Sequence, residues 1–538
     1  MRARHRIRTV CTRVCVRLGL AVLLGCGVIA PMRAQTVVQG VLQLQWGDPP
    51  PGSPRPAAAA RFEAWLDVGS GRRIALDALQ TRRAAGDLSA LANRRVAVSY
   101  AARAPVSGID AIVPVELPAH AQAEPSDGRT LAMAPILGST RWLTVMCKFA
   151  DVASEPKPRA FFQGQYGHAP GQLGHYWSEV SYGQVDLAGS SAHGWYTLPR
   201  PRSAYLSVAN GAPKVDLNVL FAECTALADA EVDYAGAQGI NLMFNAELDG
   251  RAWGGGACAM LEGTYRCTRA TWNPPWAFAN LAGLAHEMGH GYGLPHSDNS
   301  DGDADTHDNP WDLMSDAWRH AATDPLYGLL PKYPGMLQRD RLGWVAPARK
   351  RTVPADNRQV LEFHLDAVDL RNTDSVQMIV LEGEAQPDPY RTVLHVIEGR
   401  RRGGTYEAGL AGDAVIIHVL EDYGVARSVD ADTPAADLAA NEGSMFRPGE
   451  QWGTPDGRHY LHVVSATDTG FVVRIGPRPR VMSTPAPALE RLAATASSTM
   501  WPSPGPRTRT PAAPVAGSPC RAVALTPWRL AACLRRDR

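Results

Sequence analysis

The chain has 538 residues, 45% of them hydrophobic, which allows about two to four domains with substantial cores. Its net charge of +1 is unevenly distributed, since residues 1–34 contain seven Arg and no acid, and residues 477–538 contain ten Arg and two acids. The residues between carry a net charge of −14. This acidic body argues against nucleic-acid binding, which requires a basic face.

The first 34 residues have the pattern of a signal peptide. An arginine-rich start precedes an apolar stretch, residues 18–30, that is too short for a stable membrane span, and cleavage is expected near Ala34. Residues 23–26 also resemble a bacterial lipobox, in which Cys26 would carry a lipid and anchor the mature protein in the outer membrane. We expect secretion, with lipidation at Cys26 as the alternative, and no stable membrane span.

Composition and hydrophobic periodicity divide the rest of the chain into four segments. Residues 35–130 contain short alternating runs typical of strands and form either a β-rich region or a pro-region with a linker. Residues 131–345 mix strands with helices, and residues 346–476 contain spaced apolar strands that predict a β-sandwich-like domain. Residues 477–538 are rich in Pro, Ala, Ser and Arg, so we expect a disordered tail.

The most informative stretch is His-Glu-Met-Gly-His-Gly-Tyr-Gly-Leu-Pro-His at residues 286–296. His286 and His290 are four residues apart, so on a helix both imidazoles lie on one face and offer two nitrogen ligands to zinc. Gly293 is expected to end the helix, because glycine adopts positive φ at little cost, and the turn brings His296 back as a third ligand. Chance would produce this pattern here roughly 5 × 10⁻⁵ times.

Three histidine ligands leave one corner of a zinc tetrahedron open, which is the catalytic rather than the structural arrangement. Glu287 follows the first histidine and points to the side of the ligand pair. There it can take a proton from the attacking water without binding the metal itself. The pattern therefore assigns the metal to His286, His290 and His296, and general base catalysis to Glu287.

A second motif, Asn-Pro-Trp-Asp-Leu-Met-Ser at residues 309–315, follows the third histidine. The two motifs together resemble the metzincin zinc endopeptidases. The likeness covers roughly residues 135–345, and features such as Ser-Tyr-Gly at 181–183 are similar to secreted immune-inhibitor-A-like and gametolysin-like proteases. It implies a zincin-type α/β catalytic domain, a zinc cofactor, protein or peptide substrates, and Met314 as an apolar floor beneath the histidines.

The resemblance also implies an exposed edge strand, which we place near residues 254–260, that pairs with extended substrate. Some metzincins have a tyrosine that assists at the metal two residues after the methionine. The residue at that position is Asp316, so we assign no such assistance. His307 is close in sequence to the ligands, but the motif gives it no role. Nor do we expect ligands outside the motif at three further histidines, His168, His175 and His193.

Six cysteines lie outside the leader, and an even number in an exported chain suggests disulfides. They are Cys147, Cys224, Cys258, Cys267, Cys520 and Cys533. The first four permit three pairings, of which we favour Cys258 with Cys267, because a short hairpin can join them. The segment 35–130 contains no cysteine, so no thiolate from it can block the zinc.

An acidic, glycine-containing loop at residues 298–305 has a spacing that can bind Ca²⁺ through carboxylates. It lacks the full EF-hand pattern, so a solvated loop is the favoured alternative. The expected function of the whole chain is a secreted zinc endopeptidase made as a zymogen. Three alternatives remain open: an inactive adhesion module with the same fold, a zinc hydrolase of non-peptide substrates, and a purely structural zinc site.

Overall fold

The computed structural model describes residues 36–51, 53, 60–101, 108–115, 134–209, 211–302, 305–387, 391–421, 424–431 and 442–478. They belong to one compact unit of mixed α/β structure in which sheets predominate and helices are few. No helix among these residues is long and apolar enough to cross a membrane. The predicted signal peptide, Cys26, the two last cysteines and nearly all of the predicted disordered tail lie outside the described residues.

The largest sheet has ten strands, in the order β3-β2-β1-β13-β14-β12-β7-β9, with β4 and β5 attached to β1. Its strands are β1 (Thr36–Asp48), β2 (Arg61–Asp67), β3 (Arg73–Leu76), β4 (Arg95–Ala101), β5 (Gly108–Pro114), β7 (Trp142–Lys148), β9 (Ser191–Thr197), β12 (Gly239–Phe244), β13 (Ala252–Leu261) and β14 (Thr264–Asn273). Two short ribbons flank it, formed by β6 (Gly138–Ser139) with β8 (Val185–Asp186) and by β10 (Leu206–Ala209) with β11 (Ala212–Val215).

Strands β9, β7, β12 and β14 run parallel, whereas β13 is antiparallel to β14. Parallel strands are usually buried on both faces, which explains the continuous apolar run in β7. Trp142 and Met146 of β7 enter the core on one face of the sheet, and Leu143 and Val145 enter the core on the other. The sheet is therefore a central layer with packed side chains on both sides.

Among the described residues, seven α-helices accompany the sheets: α1 (Ala78–Ala85), α2 (Arg159–Gln165), α3 (Leu173–Val180), α4 (Leu217–Ala228), α5 (Pro275–Phe278), α6 (Leu281–Gly291) and α7 (Met336–Arg341). The sequence motif lies on α6, all of whose residues are buried. Helix α4 begins at Asp216, whose carboxylate accepts a hydrogen bond from the Val219 N–H at 3.1 Å. Helices α3 and α6 contribute to one core and α4 to the other.

Two disulfides cross-link this part of the chain. The favoured pair, Cys258 with Cys267, joins the neighbouring strands β13 and β14, as the predicted hairpin requires. Cys147 with Cys224 joins β7 to α4, so it fixes a helix to the sheet across 77 residues of sequence. The sequence left this second pairing open, because only the fold brings those two cysteines together.

The C-terminal part of the chain forms two sheets that share one apolar core. The six-stranded sheet contains β15 (Ser297–Asn299), β18 (Lys350–Val353), β20 (Met378–Glu382), β21 (Leu394–Arg400), β22 (Ala414–Leu420) and β23 (Ala426–Ser428). The four-stranded sheet contains β19 (Leu361–Asp366), β24 (Gln451–Gly453), β25 (Tyr460–Ala466) and β26 (Gly470–Gly476). A small hairpin of β16 (Thr323–Asp324) and β17 (Gly328–Leu329) lies between the two halves in sequence.

Strand pairing and a shared apolar core join the C-terminal sheets to the part of the chain that contains α6. Strand β15 begins at Ser297, directly after the third histidine of the motif, and pairs in parallel with β23. The core that contains α6 also continues into the six-stranded sheet through Met378 and Val396. The six-stranded sheet thus helps to fix where the chain goes after His296.

A fully buried ion cluster adds to this junction. The Arg400 guanidinium donates two hydrogen bonds of 2.7 Å to Glu407 and one of 3.0 Å to Glu398. The two carboxylates also accept backbone N–H groups, Glu398 from Met336 at 2.6 Å and Glu407 from Tyr333 at 2.9 Å. Because both acids depend on one guanidinium, removing it leaves two charges buried without their cation.

Replacing Arg400 with Met should therefore destabilise the protein by about 3–5 kcal/mol, because unpaired buried carboxylates keep their desolvation cost. Urea unfolding monitored by tryptophan fluorescence measures the change. The control is Arg474→Met, which removes a 2.7 Å contact with Glu362 between two largely exposed side chains and should cost at most about 1 kcal/mol. Equal stabilities of the two variants would contradict the assigned role of the cluster.

Candidate metal centre

The backbone conformation at Gly293, just after α6, turns the chain back alongside the helix. Gly293 has φ 98°, a left-handed conformation that side-chain-bearing residues rarely adopt. The Leu294 N–H donates to the Gly289 carbonyl at 3.0 Å, and the Gly293 N–H donates to the His290 carbonyl at 2.9 Å. These two bonds form a Schellman motif, which ends the helix and reverses the chain. His296 is thereby brought beside the helix that carries the other two histidines.

The three motif histidines converge through their Nε2 atoms. Nε2 of His290 lies 3.1 Å from Nε2 of His286 and 3.1 Å from Nε2 of His296. Ligands held about 2.0–2.1 Å from a tetrahedral zinc ion are separated by about 3.3 Å from one another, so these spacings fit a shared metal ion.

Hydrogen bonds at Nδ1 of His286 and His290 determine which nitrogen of each ring is free to bind a metal. Nδ1 of His286 lies 2.6 Å from the Leu313 carbonyl oxygen, and Nδ1 of His290 lies 2.8 Å from the Leu294 carbonyl oxygen. A carbonyl only accepts hydrogen bonds, so each Nδ1 must carry the proton and donate it. The Nε2 lone pairs then face one another at 3.1 Å, an arrangement that a cation between them would stabilise.

Burial keeps the histidines in the form that binds metals. Desolvation lowers the pKa of His290 to about 4 and that of His296 to about 3, although the nearby Asp48 carboxylate opposes both shifts. Both rings are therefore neutral at pH 7, as metal ligation by imidazole requires.

Met314 packs directly beneath α6. A Cβ atom added to Gly289 would lie 2.4 Å from the Met314 sulfur, so only glycine lets the helix and the methionine approach this closely. The Met314 N–H donates to the buried Asp312 carboxylate at 2.9 Å, and its carbonyl accepts from the Ser297 N–H at 2.9 Å. The turn that carries the methionine is thus bonded to the residue after the third histidine.

Glu287 is 2% exposed and lies at the same cluster. One carboxylate oxygen of Glu287, a ring nitrogen of His290 and an oxygen of Asp48 lie within 4.8 Å of one another. Burial, and after it the charge of Asp48, raises the pKa of Glu287 well above its ordinary value. Its Oε2 has no hydrogen-bond partner among the described residues. A buried carboxylate with a raised pKa and a vacant hydrogen-bonding position is suited to accept and release a proton.

The sequence did not predict that Asp48, at the end of β1, would reach this centre. Its Oδ2 lies 3.2 Å from Nε2 of His290 and 3.4 Å from Nε2 of His286, and its Oδ1 lies 2.7 Å from Nε2 of His296. The carboxylate therefore occupies the corner that three histidine ligands would leave open. Burial alone would raise the Asp48 pKa, but the histidine contacts lower it below its ordinary value overall.

Strand β1 is held there by pairing with β13. The two strands are antiparallel, with Trp46 opposite Gly254 and Asp48 opposite Ala252. The Trp46 ring stacks on the His290 ring at a centroid distance of 4.8 Å. The strand predicted near residues 254–260 is thus present, but the expectation of an exposed edge is wrong where the strand passes the centre, because β1 pairs with residues 252–255.

Two glycines of β13 make this close packing possible. A Cβ atom at Gly254 would lie 2.4 Å from the Glu287 carbonyl oxygen of α6, and one at Gly255 would lie 1.9 Å from the Leu44 carbonyl oxygen of β1. Side chains at these positions would push the strand away from the helix on one side and from β1 on the other. The glycine-rich sequence therefore lets an extended strand lie directly above the metal-binding helix.

His307 is a fourth histidine at the centre. Its Nε2 lies 3.0 Å from Oδ1 of Asp48, and its ring centroid lies 4.9 Å from that of His296. Burial lowers the His307 pKa, but the contact with Asp48 raises it more, so it lies above the ordinary value. The sequence motif assigned this residue no role, because its spacing from the ligands follows no helical or turn pattern.

The remaining predicted positions lie elsewhere. His168, His175 and His193 are outside the cluster, and Asp316 accepts the Arg319 N–H at 2.8 Å within its own turn. Just after the acidic loop, burial and the charge of Asp298 raise the pKa of Asp308 to about 9. Three ligand atoms do not gather in the part of that loop that the structure describes, and residues 303 and 304 lie outside it, so Ca²⁺ binding stays a prediction.

No protein-family model and no curated protein sequence matches this chain. The chemistry of the centre is therefore interpreted from its own geometry. A second group of potential ligands, Asp67 with Cys258 and Cys267, contains two cysteines that are joined in a disulfide and have no thiolate to offer.

The full-length protein should bind about one zinc ion per chain, as measured by inductively coupled plasma mass spectrometry after dialysis. His296→Ala should weaken zinc binding by more than the roughly 10- to 100-fold effect of losing a group outside the ligand set. His168→Ala, at an exposed position outside the cluster, is the control and should bind zinc normally. Unchanged affinity in His296→Ala would contradict the assignment of this ligand.

Proposed function

We propose that this protein is a zinc-dependent endopeptidase of the metzincin type and that the chain described here is its latent form. Residues 131–345 would form a zincin-type catalytic domain, residues 35–130 a pro-region, and residues 346–476 an attached β domain. The observation that carries the proposal is the convergence of three histidine Nε2 atoms at one point with Glu287 beside them.

When bound, a zinc ion would supply the Lewis acidity that polarises water and a peptide carbonyl. The chain's own residues provide the proton transfer. Glu287 takes a proton from water as the water oxygen bonds to the carbonyl carbon of the substrate. It then gives that proton to the departing amine as the C–N bond breaks. The raised pKa of Glu287 suits both steps, because the group must hold the proton between them.

The way in which β1 is bound favours a peptide as the substrate. An extended segment pairs with β13 through main-chain hydrogen bonds and ends with a carboxylate at the centre. A substrate in the same extended form would use the same main-chain groups of β13, in the manner of strand addition. A hydrolase of small non-peptide molecules would not need main-chain groups of a strand, such as those of residues 252–255, for pairing beside its metal.

The same contacts support latency. Asp48 lies where a fourth ligand would bind, and β1 pairs with residues 252–255 of β13, so an extended substrate cannot use those main-chain groups while β1 is in place. Displacement of β1 would expose both together. The two disulfides are compatible with an extracellular location, and we propose secretion on this basis together with the predicted leader.

One observation favours a second candidate function. Oxygens of Asp48 lie 2.7–3.4 Å from the Nε2 atoms of all three motif histidines, so these residues offer a four-ligand set made only of protein groups, which is the arrangement of a structural zinc site. In that case the metal would hold β1 to the rest of the chain, and no activity would appear after Asp48 is replaced. Glu287 would then have no function that requires its carboxylate.

Asp48→Ala in the full-length chain should increase cleavage of casein about ten- to a hundredfold, since it removes the carboxylate that would occupy the fourth position of the metal and leaves that position open to water. A double variant with Trp46→Ala also removes the ring stacked on His290 and should raise activity further. Asp67→Asn is the control, since Asp67 is a buried acid of the same region that accepts the Tyr265 hydroxyl at 2.6 Å. No activity in any variant would favour the structural zinc site.

Glu287→Gln in the Asp48→Ala chain should reduce kcat by about 10²- to 10⁴-fold, because glutamine cannot accept a proton from water. Zinc content should be unchanged, since Glu287 is not a ligand. Stopped assays with a quenched fluorescent peptide give the rate, and metal analysis of the same samples gives the zinc content. Cleavage at the parent rate would refute the proposed peptidase mechanism.

A further inference from the structure

We propose that His307 is a catalytic residue that donates a hydrogen bond from Nε2 to the carbonyl oxygen of the substrate as negative charge develops on it. The inference rests on the proposed peptidase function and extends it by one residue. It predicts a role for a side chain that lies outside both sequence motifs.

The position of Asp48 shows what His307 faces. Oδ1 of Asp48 lies between the centre and His307, 2.7 Å from Nε2 of His296 and 3.0 Å from Nε2 of His307. An oxygen of a substrate that replaces Asp48 at the fourth corner would lie against the same His307 nitrogen. The distance falls within the range of about 2.7–3.1 Å at which donors stabilise a developing oxyanion.

The proton needed for this hydrogen bond belongs on Nε2. Oδ1 of Asp48 lies 3.0 Å from this nitrogen, so a proton on Nε2 faces an oxygen that can accept it. On the other side of the ring, Nδ1 lies 3.4 Å from the Thr306 hydroxyl, which can donate to it and leave the proton on Nε2. The Asp305 carboxylate lies 4.0 Å from Nδ1, too far for a hydrogen bond, so the two closer contacts favour Nε2–H.

Nε2 of His307 is available to a partner other than Asp48. This buried nitrogen has no hydrogen-bond partner among the described residues, although Oδ1 of Asp48 lies 3.0 Å away. An unsatisfied buried donor costs free energy and usually marks a group that functions with a ligand. An oxygen bound slightly differently from the Asp48 carboxylate would satisfy it.

A role as a fourth metal ligand is less consistent with the contacts. The 3.1 Å contacts between Nε2 atoms join His290 with His286 and with His296, whereas His307 contacts the cluster through Asp48. A ring nitrogen of His307 also lies within 4.8 Å of potential ligand atoms of Asp48, His286 and His296, but its 3.0 Å contact is with the Asp48 oxygen rather than with a ligand nitrogen.

Asp316 occupies the position at which some metzincins have an assisting tyrosine, and its carboxylate cannot donate a hydrogen bond when ionised.

Hydrogen bonds of the surrounding loop fix the position of His307, as a preorganised hydrogen-bond donor requires. Its backbone N–H donates to the Asp305 carboxylate at 3.0 Å, and the Thr306 carbonyl accepts the Ser315 hydroxyl at 3.0 Å. Ser315 follows Met314 directly, so the loop is bonded to the turn beneath the metal-binding helix. A donor positioned before the reaction needs no reorganisation as charge develops.

The test compares His307→Phe, His307→Gln and the control His168→Phe, each in the full-length Asp48→Ala chain. His307→Phe should lower kcat about 10²- to 10³-fold with KM changed less than about threefold, because the donor acts in the transition state. His307→Gln keeps an N–H and should recover activity to within about tenfold of the parent. Zinc content and thermal stability should match the parent in all three variants.

A binding measurement separates the proposal from a purely structural role. Calorimetric titration with a phosphinic peptide, whose oxygens resemble the tetrahedral intermediate, should show affinity falling in proportion to kcat in His307→Phe. Binding of an uncleaved peptide to the Glu287→Gln chain should be unaffected by the same substitution. Equal losses for both ligands, or loss of zinc from His307→Phe, would overturn the proposal.

Failure of this inference is distinguishable from failure of the proposed function. If Glu287→Gln abolishes cleavage while His307→Phe retains the parent kcat, the protein is a peptidase but His307 is not part of its catalytic machinery. If the Asp48→Ala and Trp46→Ala double variant cleaves no peptide, the proposed function fails and the His307 assignment fails with it.

Discussion

The constraint on which this structure depends is the approach of three buried imidazole nitrogens to one another. Nε2 atoms with facing lone pairs at 3.1 Å repel one another unless a cation lies between them. The fold holds them there through rigid neighbours, since α6 fixes two rings, the turn at Gly293 returns the third, and backbone carbonyls hold Nδ1 of two rings. Met314 and the paired strand β15 then limit movement of the chain around them.

A second constraint is that two different segments would compete for one side of β13, the strand beside this centre. Strand β13 pairs with β14 on one side, and its other side is occupied by β1. The contacts that hold β1 are main-chain bonds together with one carboxylate and one aromatic ring at the histidines. In the proposed function, an extended substrate would require the same main-chain groups. Inhibition and substrate binding would thus be alternative uses of one surface, and they exclude each other.

The sequence predicted the features that are encoded locally. The four-residue spacing of His286 and His290 indicated their shared helical face, and Gly293 indicated the chain reversal, because both depend only on neighbouring residues. Several strands and the Cys258–Cys267 disulfide followed from alternation and from a short hairpin in the same way. The mixed α/β class, with β-rich regions on both sides of the helix, is also what the structure has.

Features that depend on distant partners were not predicted. Alternation indicated strands within residues 35–130, but it could not show that β13, more than 200 residues after β1, would be the neighbour of one of them. Asp48 therefore gave no signal beyond its place at the end of a strand in a possible pro-region. His307 was missed because a loop, rather than a helical repeat, brings it to the centre.

The most direct test of the central claim is anomalous X-ray diffraction at the zinc edge, from crystals of the full-length protein grown with zinc. The account predicts one strong peak about 2.0–2.2 Å from Nε2 of His286, His290 and His296 and from one oxygen of Asp48. Zinc bound elsewhere, or an ion at His286 and His290 that does not contact His296, would contradict it.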